Sequence, residues 1–338
     1  MIKSVAIVGA GVSGLTCAVA FAERGYHTAI FAEVAGQRTT SAAAAAVWFP
    51  YDAEPADVVI ALALETYKVL VDLSRVARTG VSTIELHQFS RTGEISIPDW
   101  AIPLGAERLS SVATGLRPVS DRAQRNGDNL FRSGFTLRVP LMDTTIYLDY
   151  LANRFIKAGG EINPNVQFKK LETVDPKFDL VINCAGIGAR ELVDDIDLEP
   201  HRGQVAVVAK IDNLNSAIVC DDEPLMYAIP RTNDCVFGGT NEISDNLAVD
   251  PTATSTIVAE CSRVLKINNP RVLTEGVGLR PFRKSGVRLE CQHLRDGRTV
   301  IHNYGHGGSG FTLSWGCAEK VLALAGSSGG ASSGEPQN

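Results

Sequence analysis

A glycine-rich turn near the N-terminus constrains the fold of this chain more than any other stretch. The buried-strand run Ser4–Val8 leads into Gly9-Ala-Gly11-Val-Ser-Gly14, and a helical pattern follows. The next strand closes on Glu33, 19 positions after Gly14. A lone G-x-G-x-x-G is weak, and a turn of chance composition is the alternative. Between a strand and a helix it predicts a Rossmann-type unit, with pyrophosphate over Gly11 and ribose on Glu33.

A second glycine-rich turn lies near the C-terminus. Val300-Ile301 is typical of a strand end, four glycines fall between Gly305 and Gly310, and a helical pattern runs from Phe311 to Ala325. Glycines permit unusual backbone angles and remove side chains that would hold a ligand at a distance. A helix start also attracts negative charge. We expect a flat, electron-accepting ring here, with an ordinary strand–turn–helix as the alternative.

Two further stretches suggest ligand contact. Thr39-Thr40-Ser41 is followed by five alanines, which favours backbone running close to a ligand, although a small-residue helix start is an equal alternative. Arg280, Arg283 and Arg288 lie in a strand–Pro–strand pattern. Charges inside apolar strands are costly unless paired, so we expect one arginine to face an anionic ligand. The alternative is that all three are structural or surface charges.

Periodicity between the two turns predicts an α/β chain with a discontinuous first domain. We expect a Rossmann-type dinucleotide-binding domain in residues 1–50, 136–200 and 276–326, and an inserted α+β substrate-binding or interface domain, on a mixed or antiparallel sheet, in 51–135 and 201–275. Residues 120–128 are predicted to be a polar loop, and the Gly/Ser-rich residues 327–338 a disordered tail.

Composition excludes several classes of function. The 338 residues carry a formal charge of −6, which argues against nucleic acid as a partner. No apolar run approaches the roughly 20 residues of a membrane span. Seven scattered cysteines without a C-x-x-C pair indicate reduced core residues, not disulfides or a metal site. With no signal peptide and no peroxisomal signal before Asn338, we expect a cytoplasmic protein.

Together these motifs resemble the D-amino acid oxidase family of flavoproteins. The matching segments follow the family's order from residue 5 to residue 325, and they include Val8–Gly14, Asn183–Gly186, Tyr227–Pro230, Gly278–Leu289 and His302–Gly316. The resemblance implies FAD as the cofactor, a D-amino acid and molecular oxygen as small-molecule partners, no membrane partner, and a homodimer as one assembly state.

The resemblance also implies site residues. Arg288 would grip the substrate carboxylate as a bidentate pair, the Tyr227 hydroxyl would bond the same carboxylate, and the Gly308 carbonyl would accept from the amine. No metal ligand is implied. The implied cofactor-binding residues are Gly9, Gly11, Val12, Ser13, Gly14, Glu33, Thr39, Thr40, Ser41, Val166, Gly186, Arg283, Gly307, Gly308, Gly310, Phe311 and Thr312.

The implied reaction is oxidative deamination by hydride transfer to flavin N5, giving a 2-oxo acid, ammonia and hydrogen peroxide in D-amino acid catabolism. Such chemistry needs orientation and electrostatics, not an acid or base. His302 and His306 are therefore interpreted as structural hydrogen-bonders. Asn241 stands where the D-aspartate oxidase branch has arginine, so neutral or polar D-amino acids are expected over D-aspartate. Glu223 leaves cationic substrates as a lesser alternative.

Other functions remain open from the residues alone. A D-aspartate oxidase and a glycine or secondary-amine oxidase belong to the same family. An NAD-dependent dehydrogenase could also contain the N-terminal motif, although the second glycine-rich turn disfavours this class of enzyme. A flavin-binding scaffold protein without activity is the alternative outside enzymes.

Overall fold

The computed structural model describes residues 2–109 and 130–328. In this part of the chain the helices are α1 (Val12–Ala22), α2 (Ala56–Leu73), α3 (Thr144–Lys157), α4 (Ala189–Leu192), α5 (Pro251–Leu265) and α6 (Gly310–Ser328). The strands are β1 (Ser4–Val8), β2 (His27–Ala32), β3 (Val81–Ser90), β4 (Glu107–Arg108), β5 (Ser133–Met142), β6 (Glu161–Pro164), β7 (Leu180–Asn183), β8 (Leu198–Ala209), β9 (Ser216–Cys220), β10 (Met226–Pro230), β11 (Asp234–Gly238), β12 (Glu242–Ile243), β13 (Val272–Arg283), β14 (Arg288–His293) and β15 (Thr299–Tyr304).

Six of the described strands form the first sheet, in the order β14-β15-β7-β1-β2-β6. β1 runs parallel to β2 and β7, and β15 runs parallel to β7. The central strands are apolar and buried, as expected for a sheet covered on both faces. Their carboxyl ends therefore meet at one edge, and both glycine-rich turns leave the sheet there.

Nine described strands form the second sheet, ordered β12-β8-β11-β10-β9-β3-β5-β4, with β13 also paired to β8. Its pairs are antiparallel except β3 with β9, so the sheet is mixed. Leu86, Ala217 and Ile229 on one face join the same core as α1 and α6. Phe237 and Val208 on the other face pack in a core with α5. One face of the second sheet thus looks toward the first sheet.

These two sheets confirm the predicted fold class. The hydrophobic pattern predicts a short strand near Val166–Phe168, which is wrong in position, because the regular ladder ends at Pro164, before Asn165 with its φ of +60°. The predicted domain boundaries stay a prediction, although β5 and β13 lie in the second sheet and cross the boundaries at 136 and 276.

The remaining expectations concern the loops, the tail and the membrane. The predicted polar loop 120–128 and residues 329–338 of the predicted tail lie outside the described residues. Residues 327 and 328, also assigned to that tail, belong to α6. No helix within 2–109 or 130–328 combines the length and apolar character needed to cross a bilayer.

Candidate active site

The first helix is left open at its N-terminal end. α1 follows Gly11, which supplies no side-chain cap, and its first turn has no acidic residue. Gly9 has a φ of +112°, and a Cβ there would lie 2.3 Å from the Cys184 carbonyl oxygen, so only glycine fits. A Cβ on Gly14 would lie 2.0 Å from the Gly9 oxygen. The N–H groups of the first turn have no partner within the helix, which suits a pyrophosphate.

Three more of the expected cofactor residues lie at this edge of the first sheet. Glu33 follows β2 and is exposed, with Gln167 Nε2 donating to its carboxylate at 3.4 Å. The Val166 N–H donates to the Ala32 carbonyl at 3.0 Å and so lies beside the end of β2. Gly186 follows β7 with a φ of +57°. The structure thus brings them to the side of the first glycine-rich turn.

Residues 39–45 run past the N-terminal end of α1. The Val12 N–H donates to Ser41 Oγ at 3.0 Å, and a Cβ on Gly11 would lie 3.1 Å from that oxygen. Thr39 Oγ1 donates to the Gly36 carbonyl at 2.9 Å. Small residues therefore keep this segment close to the start of α1, and its contact with a ligand stays a prediction.

The second glycine-rich turn packs against residues 49–52. Gly307 has a φ of +49°, and a Cβ there would lie 1.7 Å from the Asp52 carbonyl oxygen, to which the Gly308 N–H donates at 3.3 Å. Gly310 opens α6, and in its first turn Thr312 Oγ1 donates to the Phe49 carbonyl at 3.0 Å. The glycine at 307 is thus required by another segment of the chain, a reason that the sequence does not reveal.

Glycines on β13 leave space between the second sheet and residues 39–45. A Cβ on Gly278 would lie 3.1 Å from Thr40 Cγ2, and one on Gly276 would lie 3.5 Å from the Ala43 Cβ. Side chains alternate between faces along a strand, so Arg280, two residues on, projects from the same face. The arginine therefore stands beside the segment that also touches α1.

Arg280 and Tyr227 meet over this glycine-lined face. The Tyr227 hydroxyl is hydrogen-bonded with Arg280, and burial raises its pKa although Arg280 lowers it. The Arg280 guanidinium donates to the Thr240 carbonyl at 3.0 Å and to Asn241 Oδ1 at 3.3 Å. None of these partners is negatively charged, and among the described residues no carboxylate forms an ion pair with Arg280. Its charge is left for a ligand.

The structure does not bring Arg288 to Tyr227. Arg288 begins β14 at the edge of the first sheet, and its guanidinium donates to Tyr304 Oη and to Glu290 Oε1, each at 2.7 Å. The expectation that Arg288 shares a carboxylate with Tyr227 is corrected, because the chain changes sheet between β13 and β14. The arginine that faces Tyr227 is Arg280.

Arg283 is also held by the protein. Its Nε donates to Asp195 Oδ2 at 2.9 Å, and its Nη1 donates to the Gly286 carbonyl at 3.1 Å. Burial raises the pKa of the Asp195 carboxyl, but bonds from Tyr304 and Arg283 outweigh burial and hold it below its ordinary value. The guanidinium expected to bind the cofactor instead ties the end of β13 to the loop before β8.

The two histidines of the C-terminal motif are buried hydrogen-bonding residues. His306 Nε2 lies 3.0 Å from Asn303 Oδ1, and His302 Nε2 lies 2.9 Å from Gln292 Oε1. Burial lowers the pKa of both to about 4, and the charge of Arg288 contributes at His302. Both are neutral near pH 7, in agreement with the structural role expected for them.

Tyr51 lies in the site without having been assigned a role from the sequence. Asn241 Nδ2 donates to its hydroxyl at 3.4 Å. Burial raises the pKa of Tyr51 to about 12, with Asp221 raising it and Arg280 lowering it. Its place beside Pro50 in the sequence gives no signal of this role, since no spacing rule links Tyr51 to Asn241, 190 positions away.

Comparisons with known proteins agree along nearly the whole chain. A family model described as FAD dependent oxidoreductase matches residues 4–324. A D-amino-acid oxidase of Rubrobacter xylanophilus is 38% identical over 327 residues, covering 95% of each chain. One of Streptomyces coelicolor is 38% identical, covering 95% of this chain and 96% of that protein. A glycine oxidase structure from Bacillus cereus has a TM-score of 0.78 at 18% identity, covering 96% of this chain and 95% of that chain. At this identity the likeness supports the fold alone.

Proposed function

This chain belongs to the FAD-dependent oxidoreductase family, and we propose that it catalyses the oxidative deamination of D-amino acids with molecular oxygen as the final acceptor. The products would be a 2-oxo acid, ammonia and hydrogen peroxide. Two relatives that are 38% identical over about the whole chain carry the name D-amino-acid oxidase, which supports both the D configuration and the substrate class.

The enzyme uses FAD, and the residues at the sheet edge fit that cofactor. At the start of α1 the N-cap residue Gly11 has no side chain, and the close turn at Gly9 brings the backbone N–H groups to the ligand side. We propose that Glu33 accepts from the ribose, while Thr40 and Ser41 run beside the ring system with the turn at Gly307. Bound there, the flavin supplies the acceptor for a hydride.

The observation that carries the substrate assignment is the uncompensated charge of Arg280. Its bonds go to Thr240 and Asn241, both neutral, and to Tyr227. A guanidinium binds a carboxylate in a bidentate pair, and the Tyr227 hydroxyl can donate to the same group. We therefore propose that Arg280 and Tyr227, not Arg288, hold the α-carboxylate.

The protein's contribution to the reaction is orientation. With the carboxylate fixed by Arg280 and Tyr227, we propose that the Gly308 carbonyl accepts from the α-amine, which leaves one direction for the α-hydrogen. Burial raises the pKa of Tyr51 to about 12, so its hydroxyl stays protonated. Tyr51 therefore lines the site as a hydrogen-bonding residue and does not act as a base. No side-chain proton transfer is required.

Neutral or polar substrates are proposed over D-aspartate. Asn241 is bonded to both Tyr51 and Arg280, so the position after Thr240 presents an amide and no charge. D-aspartate oxidation and glycine or secondary-amine oxidation are the second candidates within the family. We propose a homodimer and a cytoplasmic location as further expectations.

An oxygen-consumption panel tests the function. The purified, FAD-loaded protein is given D- and L-forms of alanine, methionine and aspartate, and oxygen uptake and peroxide are followed. We expect uptake with D-alanine and D-methionine, a lower kcat/KM for D-aspartate, and none with the L-forms. Anaerobic D-alanine should bleach the flavin absorbance near ~450 nm. Turnover of L-alanine alone, or no bleaching by any D-amino acid, would contradict the proposal.

A further inference from the structure

We infer that the substrate side chain is received by Asp221 and Gln88, and that these two residues select D-amino acids whose side chain ends in a positively charged hydrogen-bond donor. The inference rests on the proposed function, because it takes the α-carboxylate to be held by Arg280 and Tyr227. It adds cationic D-amino acids, as the preferred class, to the neutral or polar substrates proposed above.

A row of cross-strand partners leads from Tyr227 to Gln88. Tyr227 of β10 lies opposite Val219 of β9, and Val219 lies opposite Gln88 of β3. Directly opposed residues in neighbouring strands project from the same face of a sheet, so all three share the face of Arg280. Asp221 follows just beyond the end of β9, and its carboxylate reaches the same side, where it meets Gln88.

Gln88 and Asp221 form a pair with hydrogen-bonding capacity left over. Gln88 is only 4% exposed, and its Nε2 donates to Asp221 Oδ2 at 2.8 Å. The Oε1 of the same amide is buried and has no hydrogen-bond partner among the described residues. A buried acceptor left unpaired is costly, so a donor from a ligand would be stabilised there. The pair therefore offers acceptors, one of them a carboxylate.

Asp221 belongs to the same electrostatic surroundings as the carboxylate-binding arginine. The pKa of Tyr51, raised first by burial, is also raised by Asp221 and lowered by Arg280. Strands lie about 4.8 Å apart and residues about 3.4 Å apart along a strand, which puts the Asp221 Cα roughly 8 Å from the Tyr227 Cα. A long basic side chain can span that separation, whereas the methyl group of alanine cannot.

The two acidic neighbours of Asp221 do not share its position. Asp222 Oδ2 accepts from Ser90 Oγ at 2.8 Å and from the Arg91 N–H at 2.6 Å, so it holds the end of β3. Glu223 is exposed. Among the three, Asp221 alone joins the buried amide of Gln88. The face thus carries a cation for the α-carboxylate at one end and an anion at the other.

The test compares D-arginine with D-norleucine, which has a long unbranched side chain without charge, and uses D-alanine as a short reference. We expect wild-type holoenzyme to show a kcat/KM for D-arginine about fivefold above that for D-norleucine, the effect of about one partly exposed ion pair. Asp221→Asn should remove most of that ratio and leave D-alanine within about twofold. Glu223→Gln, the matched loss of a neighbouring charge, should change neither value.

A reversal of charge gives a second, independent readout. Asp221→Lys should lower the kcat/KM for D-arginine further and raise that for D-glutamate, since the new cation would face an acidic side chain. An unchanged D-arginine to D-norleucine ratio in Asp221→Asn, with D-alanine still oxidised, overturns the inference and leaves the proposed function standing. Absence of turnover with D-alanine and D-arginine alike in the wild type overturns both.

Discussion

Arg280 and Arg288 stand eight positions apart in one arginine-rich run, yet they lie in different sheets and have opposite surroundings. Arg280 projects from the second sheet, bonded to Tyr227 and to neutral acceptors. Arg288 lies at the edge of the first sheet, bonded to Glu290 and Tyr304. An arginine is therefore available to a ligand when the fold leaves its charge unpaired, whatever its place in a sequence motif.

The largest expected effect separates the two arginines by catalysis. Arg280→Met should lower kcat/KM for D-alanine about a thousandfold, because the loss of a charged hydrogen-bonding partner costs about 4 kcal/mol. The same change at Arg288 should stay within about fivefold and lower stability instead, by about 2 kcal/mol. Steady-state kinetics and urea unfolding of both variants measure this. A larger loss of kcat/KM in a stable Arg288→Met variant than in Arg280→Met would show that Arg288, not Arg280, binds the substrate.

The acid sensitivity of the first sheet should be the next largest effect. His302 and His306 have folded-state pKa values lowered to about 4. Their stability contribution is full above the unfolded pKa of about 6.5 and is lost as the pH falls from there toward 4, on the order of 3 kcal/mol for each. Urea unfolding between pH 7.5 and pH 4 measures how steeply the free energy of unfolding falls with pH. His306→Gln should reduce this slope, whereas His27→Gln, at an exposed site, should leave it unchanged.

The same histidine can report on which arginine lies nearby. Because the charge of Arg288 helps to lower the His302 pKa, Arg288→Met should raise that pKa toward 6.5, whereas Arg280→Met should leave it unchanged. Titration of the His302 ring by NMR gives both values. Equal shifts of the His302 pKa in the two variants would contradict the placement of Arg280 and Arg288 in different sheets.

A smaller effect is expected at the tyrosine that joins Arg288 to Asp195. Tyr304 Oη accepts from Arg288 and donates to Asp195 Oδ2 at 2.7 Å. Tyr304→Phe should cost about 2 kcal/mol of stability, since it leaves buried charged partners unsatisfied, while D-alanine kcat/KM stays within about twofold. Tyr150→Phe is the control, because its hydroxyl accepts a single 3.3 Å bond from Arg154. Equal destabilisation in both would argue against a special role for Tyr304.

The smallest effect is expected at the tyrosine beside Arg280. Tyr227→Phe should lower D-alanine kcat/KM about fivefold to tenfold, the value of one hydrogen bond of about 1 kcal/mol, and leave the midpoint of urea unfolding unchanged. Kinetic and unfolding measurements on one preparation decide this. A loss of stability without a change in kcat/KM would show that Tyr227 has a structural role, as Tyr304 does.

Much of the architecture could be predicted because its signals are local. The strand, Gly9–Gly14 and the following helix are contiguous, and so are the strand, the second turn and α6. The strand near Val166 was misplaced because positive-φ Asn165 ends the ladder early, an effect that hydrophobic pattern does not report.

The site could be predicted only in part because its contacts cross between sheets. Tyr227 was identified, but its partner depends on which sheet each arginine enters. Gly307 needs glycine because the Asp52 carbonyl approaches it, and Tyr51 matters because it reaches Asn241. The last two pairs are each separated by 190 or more positions, and periodicity within either stretch carries no information about the other.

Local patterns in the amino-acid sequence were enough to predict the two glycine-rich turns and the alternation of strands and helices, since backbone freedom and hydrophobic period act over a few neighbouring residues. Only the tertiary structure decided which arginine keeps a free charge, and that Gln88 and Asp221 meet on the same face. The physical reason is that charge pairing and burial depend on what lies across the interface between the two sheets, which chain order does not specify.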